Sequence, residues 1–354
     1  MSDKNGKLQV AIIGAGGIAS NAHAPGWETV ADHAKVVGVC DVDRERATKL
    51  AARFGADIVT TDFQELVTAE CVDAVDICTP NQFHPPIALA ALNAGKHVLC
   101  EKPLAVTTAA VREMGELADR QGLMLMTAQH MRFMASSVAI KRFLQTHPLE
   151  RVYHARVEAI RRNLLPIAPG FIDVALSGGG PCMDIGVHTL DACMWLMDFP
   201  QPVRVSGQVH TNFAKGHQIP GGWGEWNRDR FSVEDWATGF VHFDNGATMA
   251  IEASWLNHQP EKGKMQATVM GTGGAVEWPS GRYWSASNGT LYDAQIQEVP
   301  GLNKPHTEEI IAFTRALREG APSPVPWTET IKVIAILEGI YRSAKEKREV
   351  TIEQ

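Results

Sequence analysis

The stretch VAIIGAGGIA, Val10 to Ala19, restricts what this chain can fold into more than any other. An apolar, strand-like run ends in Gly14, Ala15, Gly16, Gly17, Ile18 and Ala19, and a helical pattern follows directly. In such a loop Gly14 permits a tight turn, Gly16 lets a pyrophosphate approach the backbone, and Ala19 lets helix and strand pack closely. The helix N-terminus then faces the phosphates. Glycine-rich turns are common, so the loop alone is weak evidence. Asp41 supplies the context: it ends the next apolar run, KVVGVCD, about 20 residues beyond the loop, where a carboxylate accepts from ribose hydroxyls. The pattern predicts a dinucleotide site contacted by Gly14, Gly16, Gly17, Ile18, Ala19 and Asp41.

Asp41 also bears on which dinucleotide is bound. A carboxylate there repels a 2′-phosphate, and no Arg, Ser or Thr immediately follows to receive one. Arg44 and Arg46 are close enough to leave NADP open. The expectation is NAD over NADP.

Around this unit the rhythm is strand and helix in alternation. LQVAIIG, KVVGVC, ADIV, AVDIC, KHVLC and LMLMTA read as strands, with helices at 44–54, 85–94 and 107–121. Alternation of this kind implies a parallel, doubly wound Rossmann-type sheet with right-handed crossovers. After about residue 150 the runs lengthen and partly alternate: RVYHARVEAI, VRVSGQVH, SVEDWATGFVHF and ATMAIEASW suit antiparallel strands with one packed face. Asp244-Asn245-Gly246 is a hairpin signal, and Gly273-Gly274 another. Helices are expected at about 182–196, 307–319 and 328–347. The expected division is 1–128 as the dinucleotide-binding domain and 129–354 as an α+β domain with a large open, mainly antiparallel sheet, serving substrate binding and oligomerisation.

Composition excludes several classes. A net charge of −7 argues against a general nucleic-acid binder or an acidic-membrane binder. No uncharged apolar run approaches the roughly 18 residues of a membrane span. The 6 cysteines form no CxxC pair and no metal-finger spacing; several sit in apolar runs, where reduced, buried thiols and a cytoplasmic setting are expected. Lys4, Lys7, the apolar run from Leu8 and Ala22-His23-Ala24 imitate a cleavable signal peptide. Cleavage there would destroy the strand–loop–helix unit, so the imitation is set aside.

CEKPLA, Cys100 to Ala105, ends a strand with an acid, a base and a proline, at the sheet edge where α/β folds bind ligands. TPNQFH (79–84) ends the strand before it, and GGGPCMDIGVHTLD (178–191) lies further on. With the glycine loop and the later antiparallel sheet, these motifs resemble the glucose–fructose oxidoreductase, inositol dehydrogenase and rhizopine-catabolism family of nicotinamide-dependent sugar and polyol oxidoreductases. The resemblance spans nearly the whole chain. It implies that Lys102 reaches toward both substrate and nicotinamide, that Asp184 and His188 belong to the substrate side with His188 as acid/base, and that Thr79, Asn81, His84 and Glu101 line the ribose and nicotinamide end. The chemistry fits: Asp184 and His188 are four apart on a helical pattern, histidine ordinarily titrates near neutrality, and an ammonium stabilises a developing alkoxide. Asp184, His188 and Asp191 could also mimic a metal site, but no second His or Cys supports one.

Further substrate contacts are expected from His130, Arg132, Arg162 and Asn163, with Trp226 or Trp223 stacking on a sugar ring. No carboxylate- or phosphate-specific pattern accompanies them, so the substrate reads as a neutral cyclic sugar or polyol. The reading is an NAD-dependent oxidoreductase acting on a ring CH–OH. The alternatives are an NAD-retaining glycosidase with internal redox, a non-catalytic nicotinamide-sensing regulator, and a reductase working in the reverse direction. A broad sheet with few helices to cover it points to a homo-oligomer, and the resemblance implies a homodimer or homotetramer.

Overall fold

A computed structural model describes residues 6–353 of the chain. Lys4, part of the pattern that imitates a signal peptide, lies outside them. Internal contacts divide the chain into two units: residues up to Phe133 together with Asn303–Ile331, and Met134–Leu302 together with residues from Lys332 onward.

The first unit is the doubly wound sheet. β1 (Leu8–Ile13), β2 (Ala34–Cys40), β3 (Ile58–Thr60), β4 (Ala74–Ile77), β5 (His97–Glu101) and β6 (Leu125–Ala128) pair in parallel in the order β3-β2-β1-β4-β5-β6. This is the dinucleotide-binding order, and its strands read as continuous apolar runs because both faces are covered. Val10, Ala11, Ile12, Val98 and Leu99 have no exposed surface. The helix Arg44–Phe54 starts where Asp43 accepts the main-chain N–H of Glu45 and Arg46, and ends at Gly55 in the left-handed region.

Residues 303–331 fall with this unit and not, as expected, with the second. The reason lies in packing. Ile310 and Phe313 on the helix Pro305–Glu319 are buried in the same apolar cluster as Val10, Trp27, Leu50 and Met126. Gly26 makes the approach possible, since a Cβ there would lie 2.6 Å from the Ile310 side chain. Burying two such side chains stabilises this arrangement by about 1.5–3 kcal/mol each.

The second unit carries β7 (Val152–Arg161), β8 (Pro202–His210), β9 (Trp236–Phe243), β10 (Thr248–Ser254), β11 (Gly263–Gly271), β12 (Ala275–Trp278), β13 (Arg282–Ser287), β14 (Thr290–Gln295) and β15 (Val350–Thr351). Their order is β14-β13-β12-β11-β7-β10-β9-β8-β15. All neighbours are antiparallel except β7 and β10, which makes the sheet mixed. One face packs under the helices. Gly207 and Gly239 are register partners, and a Cβ on either would strike Ile340 of the helix Trp327–Glu346 at 2.8 Å. On the other face Phe240 is 40% exposed, while Arg156, Arg204 and Ser206 are exposed polar neighbours. That face is less apolar than alternation alone implied.

Candidate active site

The glycine loop has the shape its residues predict. Gly14 adopts φ +97°, and a Cβ there would sit 2.6 Å from the Cys78 carbonyl oxygen, so no other residue fits. A Cβ on Gly16 would meet nothing within 4 Å, which leaves the open approach a pyrophosphate needs. Ala19 is fully buried. Asp41 accepts the main-chain N–H of Ala15 at 2.7 Å through Oδ2 and that of Asp43 at 2.8 Å through Oδ1. Each oxygen keeps a second lone pair for a ribose hydroxyl. Arg46 is paired with Asp43 at 3.2 Å and Arg44 is exposed. At the end of β4, Thr79 Oγ1 is buried with no hydrogen-bond partner. An open cradle, an anchored carboxylate and an orphaned hydroxyl fit a nicotinamide dinucleotide.

Beneath the ends of β4 and β5 lies a buried charge network that the sequence did not announce. A π turn, Ala19–His23, turns His23 inward before the helix Ala24–Thr29. His23 Nδ1 lies 2.9 Å from Asp76 Oδ2 and its Nε2 lies 3.0 Å from Glu101 Oε1. Trp27 Nε1 donates to Asp76 at 2.7 Å. Burial alone would lower the pKa of His23; Asp76 and Cys78 outweigh it and hold the ring well above 6.5. Burial would likewise raise Glu101, yet His23 and Lys102 hold its carboxyl down at about 2. The ring is therefore an imidazolium between two carboxylates. Such a ring donates through both nitrogens and keeps no lone pair, so the His23, Asp76 and Cys78 cluster is satisfied without an ion.

Lys102 is held through its main chain. Its N–H donates to Glu101 Oε2 at 3.0 Å, and the carbonyl of Pro103, reached through a cis peptide bond, lies 2.8 Å from His84 Nδ1. His84 Nε2 lies 2.8 Å from the Thr79 carbonyl. Two expectations change here. His84 has no exposed surface and Glu101 almost none, so both support Thr79 and Lys102 instead of lining a cofactor. Asn81 is half-buried at the start of the short turn Asn81–Phe83.

Two expected substrate residues are otherwise engaged. Arg132 is buried and ion-paired with Glu329. Trp226 is 4% exposed, donates Nε1 to the Ala214 carbonyl at 2.7 Å and carries Arg228 over its ring, which makes it a core residue and no stacking platform. Trp223, by contrast, is 50% exposed, with the Arg161 guanidinium 4.8 Å over its ring. His130 stacks on His306 at 3.9 Å; burial above all, helped by the charge of His306 on His130 and of His23 and Lys102 on His306, holds the two rings at about 3 and about 4, so both are neutral at pH 7.

In the second unit Asp184 lies in another π turn, Cys182–Gly186, and His188 in the first turn of the helix Val187–Leu196 that continues it. Asp184 Oδ2 accepts Trp255 Nε1 at 3.2 Å and lies 3.9 Å from Arg161 Nη1. Glu234, missed from sequence, fixes the glycine run in front: it accepts the N–H of Gly180 at 2.9 Å, that of Cys182 at 3.1 Å and the Tyr341 hydroxyl at 2.8 Å. Arg162 and Asn163 line one cleft of about 440 Å³ with Asn257 and Lys262. Asp191 is buried in the helix.

Comparison with known proteins shows the family and the fold. Residues 8–129 match the oxidoreductase family with an NAD-binding Rossmann fold, and 144–352 match the C-terminal alpha/beta domain of the same family. D-glucoside 3-dehydrogenase of Escherichia coli (strain K12) is 33% identical over 340 residues, covering 96% of this chain and 95% of that protein. An oxidoreductase domain protein from Kribbella flavida superposes with a TM-score of 0.86 at 22% identity over 100% of both chains. Levoglucosan dehydrogenase in complex with NADH gives 0.83 at 22% identity over 98% of this chain and 100% of that one.

Proposed function

Since the chain belongs to the Gfo/Idh/MocA family of oxidoreductases, we propose that it oxidises a ring CH–OH of a neutral sugar, with a D-glucoside as the first substrate to try. The cofactor is a nicotinamide dinucleotide, and Asp41 favours NAD. Lys102 carries the reading: an ammonium whose main chain is clamped on both sides, at the strand edge where this fold holds ligands.

Lys102 stabilises the alkoxide that develops as the carbinol loses its proton. His188 accepts that proton and returns it in the reverse direction. Asp184, fixed by Trp255 and Arg161, accepts from a neighbouring hydroxyl and orients the ring. When bound, NAD supplies the hydride acceptor. The carbinol thus loses two electrons and two protons: one proton leaves with the electrons as hydride, the other on His188, and a ketone or lactone remains.

The open sheet face supports a homodimer or homotetramer, and the buried cysteines, Cys40, Cys78, Cys100, Cys182 and Cys193, support a reducing cytoplasm. Among the described residues no helix is long and apolar enough to cross a membrane. The deciding experiment is a panel of glucosides, aldoses and inositols, each assayed with NAD and NADP for formation of the reduced cofactor. Accumulation of NADH with a glucoside supports the reading. Turnover of a glycoside without net NADH assigns the chain to internal redox instead, and silence across the panel, with NAD still bound, assigns it to sensing.

A further inference from the structure

His23 has no exposed surface, yet it sits at the centre of the groups that fix Lys102. From β4 it faces Asp76 and, just beyond that strand, Cys78; from β5 it faces Glu101, with Cys100 and Lys102 beside it. His306 approaches it from the helix Pro305–Glu319, with ring centroids 6.0 Å apart, and His130 stacks on His306. The charges of Asp76, His23 and Glu101 sum to −1, and the Lys102 ammonium brings the group to neutrality.

One Glu101 oxygen takes His23 and the other takes the main-chain N–H of Lys102. A carboxylate with only one of these partners could rotate; with both it has one orientation. Resting on the catalytic reading of Lys102, we propose that His23 is a positioning residue: clamped between Asp76 and Glu101, it locks the Glu101 carboxylate against the main chain of Lys102 and so sets where the Lys102 ammonium stands. Trp27 completes the clamp by fixing the Asp76 end.

Removal of the imidazolium leaves two buried carboxylates with only the Lys102 ammonium against them. One of them then takes up a proton in the neutral range, about pH 5–8, because desolvated carboxyls titrate there. In the native protein Glu101 titrates near 2 and contributes nothing to a profile in that window.

The test compares His23→Gln, Asp76→Asn, Lys102→Ala and the double variant His23→Gln/Lys102→Ala. NAD binding is read by calorimetry, folding by thermal melting, and turnover as kcat and KM across pH. For His23→Gln the expected result is a fall in kcat of about 10-fold to 100-fold, the scale of a misplaced catalytic group. NAD affinity should change less than about threefold, and a new acid limb should appear between pH 5 and 8. The double variant should be no slower than Lys102→Ala, because His23 acts through that residue. If His23→Gln folds too weakly to assay, Asp76→Asn, which loosens the far end of the clamp and keeps the His23–Glu101 pair, should lower kcat by a smaller factor with NAD affinity unchanged and without that limb. Lower melting with kcat and its pH profile unchanged overturns the proposal and leaves His23 structural. Full turnover by Lys102→Ala overturns the catalytic reading itself, whatever His23→Gln does.

Discussion

Asp41 accepts the main-chain N–H of Ala15 at 2.7 Å, so the carboxylate we propose for the ribose also ties down the glycine loop. Replacement therefore has two effects that separate. Asp41→Ser removes the repulsion of a 2′-phosphate and also loosens the loop; Asp41→Asn removes the charge and keeps an acceptor for Ala15. Both variants should lose about 10-fold to 100-fold in kcat/KM for NAD, the worth of a charge-assisted hydrogen bond. Asp41→Ser should turn the preference toward NADP. Wild-type kcat/KM as high with NADP as with NAD would contradict the role given to Asp41.

Lys102→Ala and His188→Ala should each lower kcat by about 100-fold or more, the range of general acid–base contributions, with NAD binding largely intact. Steady-state kinetics beside NAD titration separates the two effects. If His188→Ala turned over normally at every pH, the proton would have to leave through Lys102 or water.

Glu234 and Gly180 make a sharper structural prediction. A Cβ on Gly180 would lie 2.2 Å from the Glu234 carbonyl oxygen, which is main chain and cannot swing aside. Gly180→Ala should cost about 1–3 kcal/mol in denaturant unfolding, as overpacking does. It should also depress kcat, since Asp184 follows four residues later. Unchanged stability would mean that the glycine run relaxes freely.

Stability should fall on mild acidification. Burial keeps His130, His306, His84 and His97 below their ordinary pKa, the first two at about 3 and about 4. Below pH 6.5 the unfolded chain protonates these rings while the native one does not, so the unfolded state binds more protons and stability drops toward pH 4. His23 has the opposite sign: its raised pKa contributes stability that is fully present below 6.5 and lost as pH rises through its folded value. Glu101, depressed to about 2, adds a further loss as pH falls from 4.5. Melting temperature against pH should peak near neutrality, and His306→Gln should flatten the acid side.

Much of the fold was legible because apolar runs report burial directly. The six parallel strands and the helix 44–54 stand where their residues place them. The segment 303–331 was not assignable, since an amphipathic helix looks the same whichever core receives it. His23 was hidden for a different reason: its partners Asp76 and Glu101 are remote in sequence, and a lone His beside a glycine loop resembles a surface residue. The one available signal was Asp76 itself, an acid inside the apolar run AVDIC. Arg132 and Trp226 misled because charge and aromaticity say nothing of burial.

Assembly should be visible in solution. Phe240 lies on an open sheet face, and the same face of a second copy would cover it. Light scattering should give a mass at least twice 38.6 kDa at micromolar concentration. A stable 38.6 kDa particle would show that the polar residues of that face suffice in water.

The two π turns, Ala19–His23 and Cys182–Gly186, carry His23 and Asp184. A π turn holds one residue more than the α-turn it replaces, so it converts chain length into direction. Deleting one residue from either would let an ordinary turn close and swing the preceding chain by about 100°, the α-helical step per residue. No side-chain substitution elsewhere can supply that rotation. At these two points the site is written in the number of residues, and a gap of one would erase what many exchanges of residue type would leave standing.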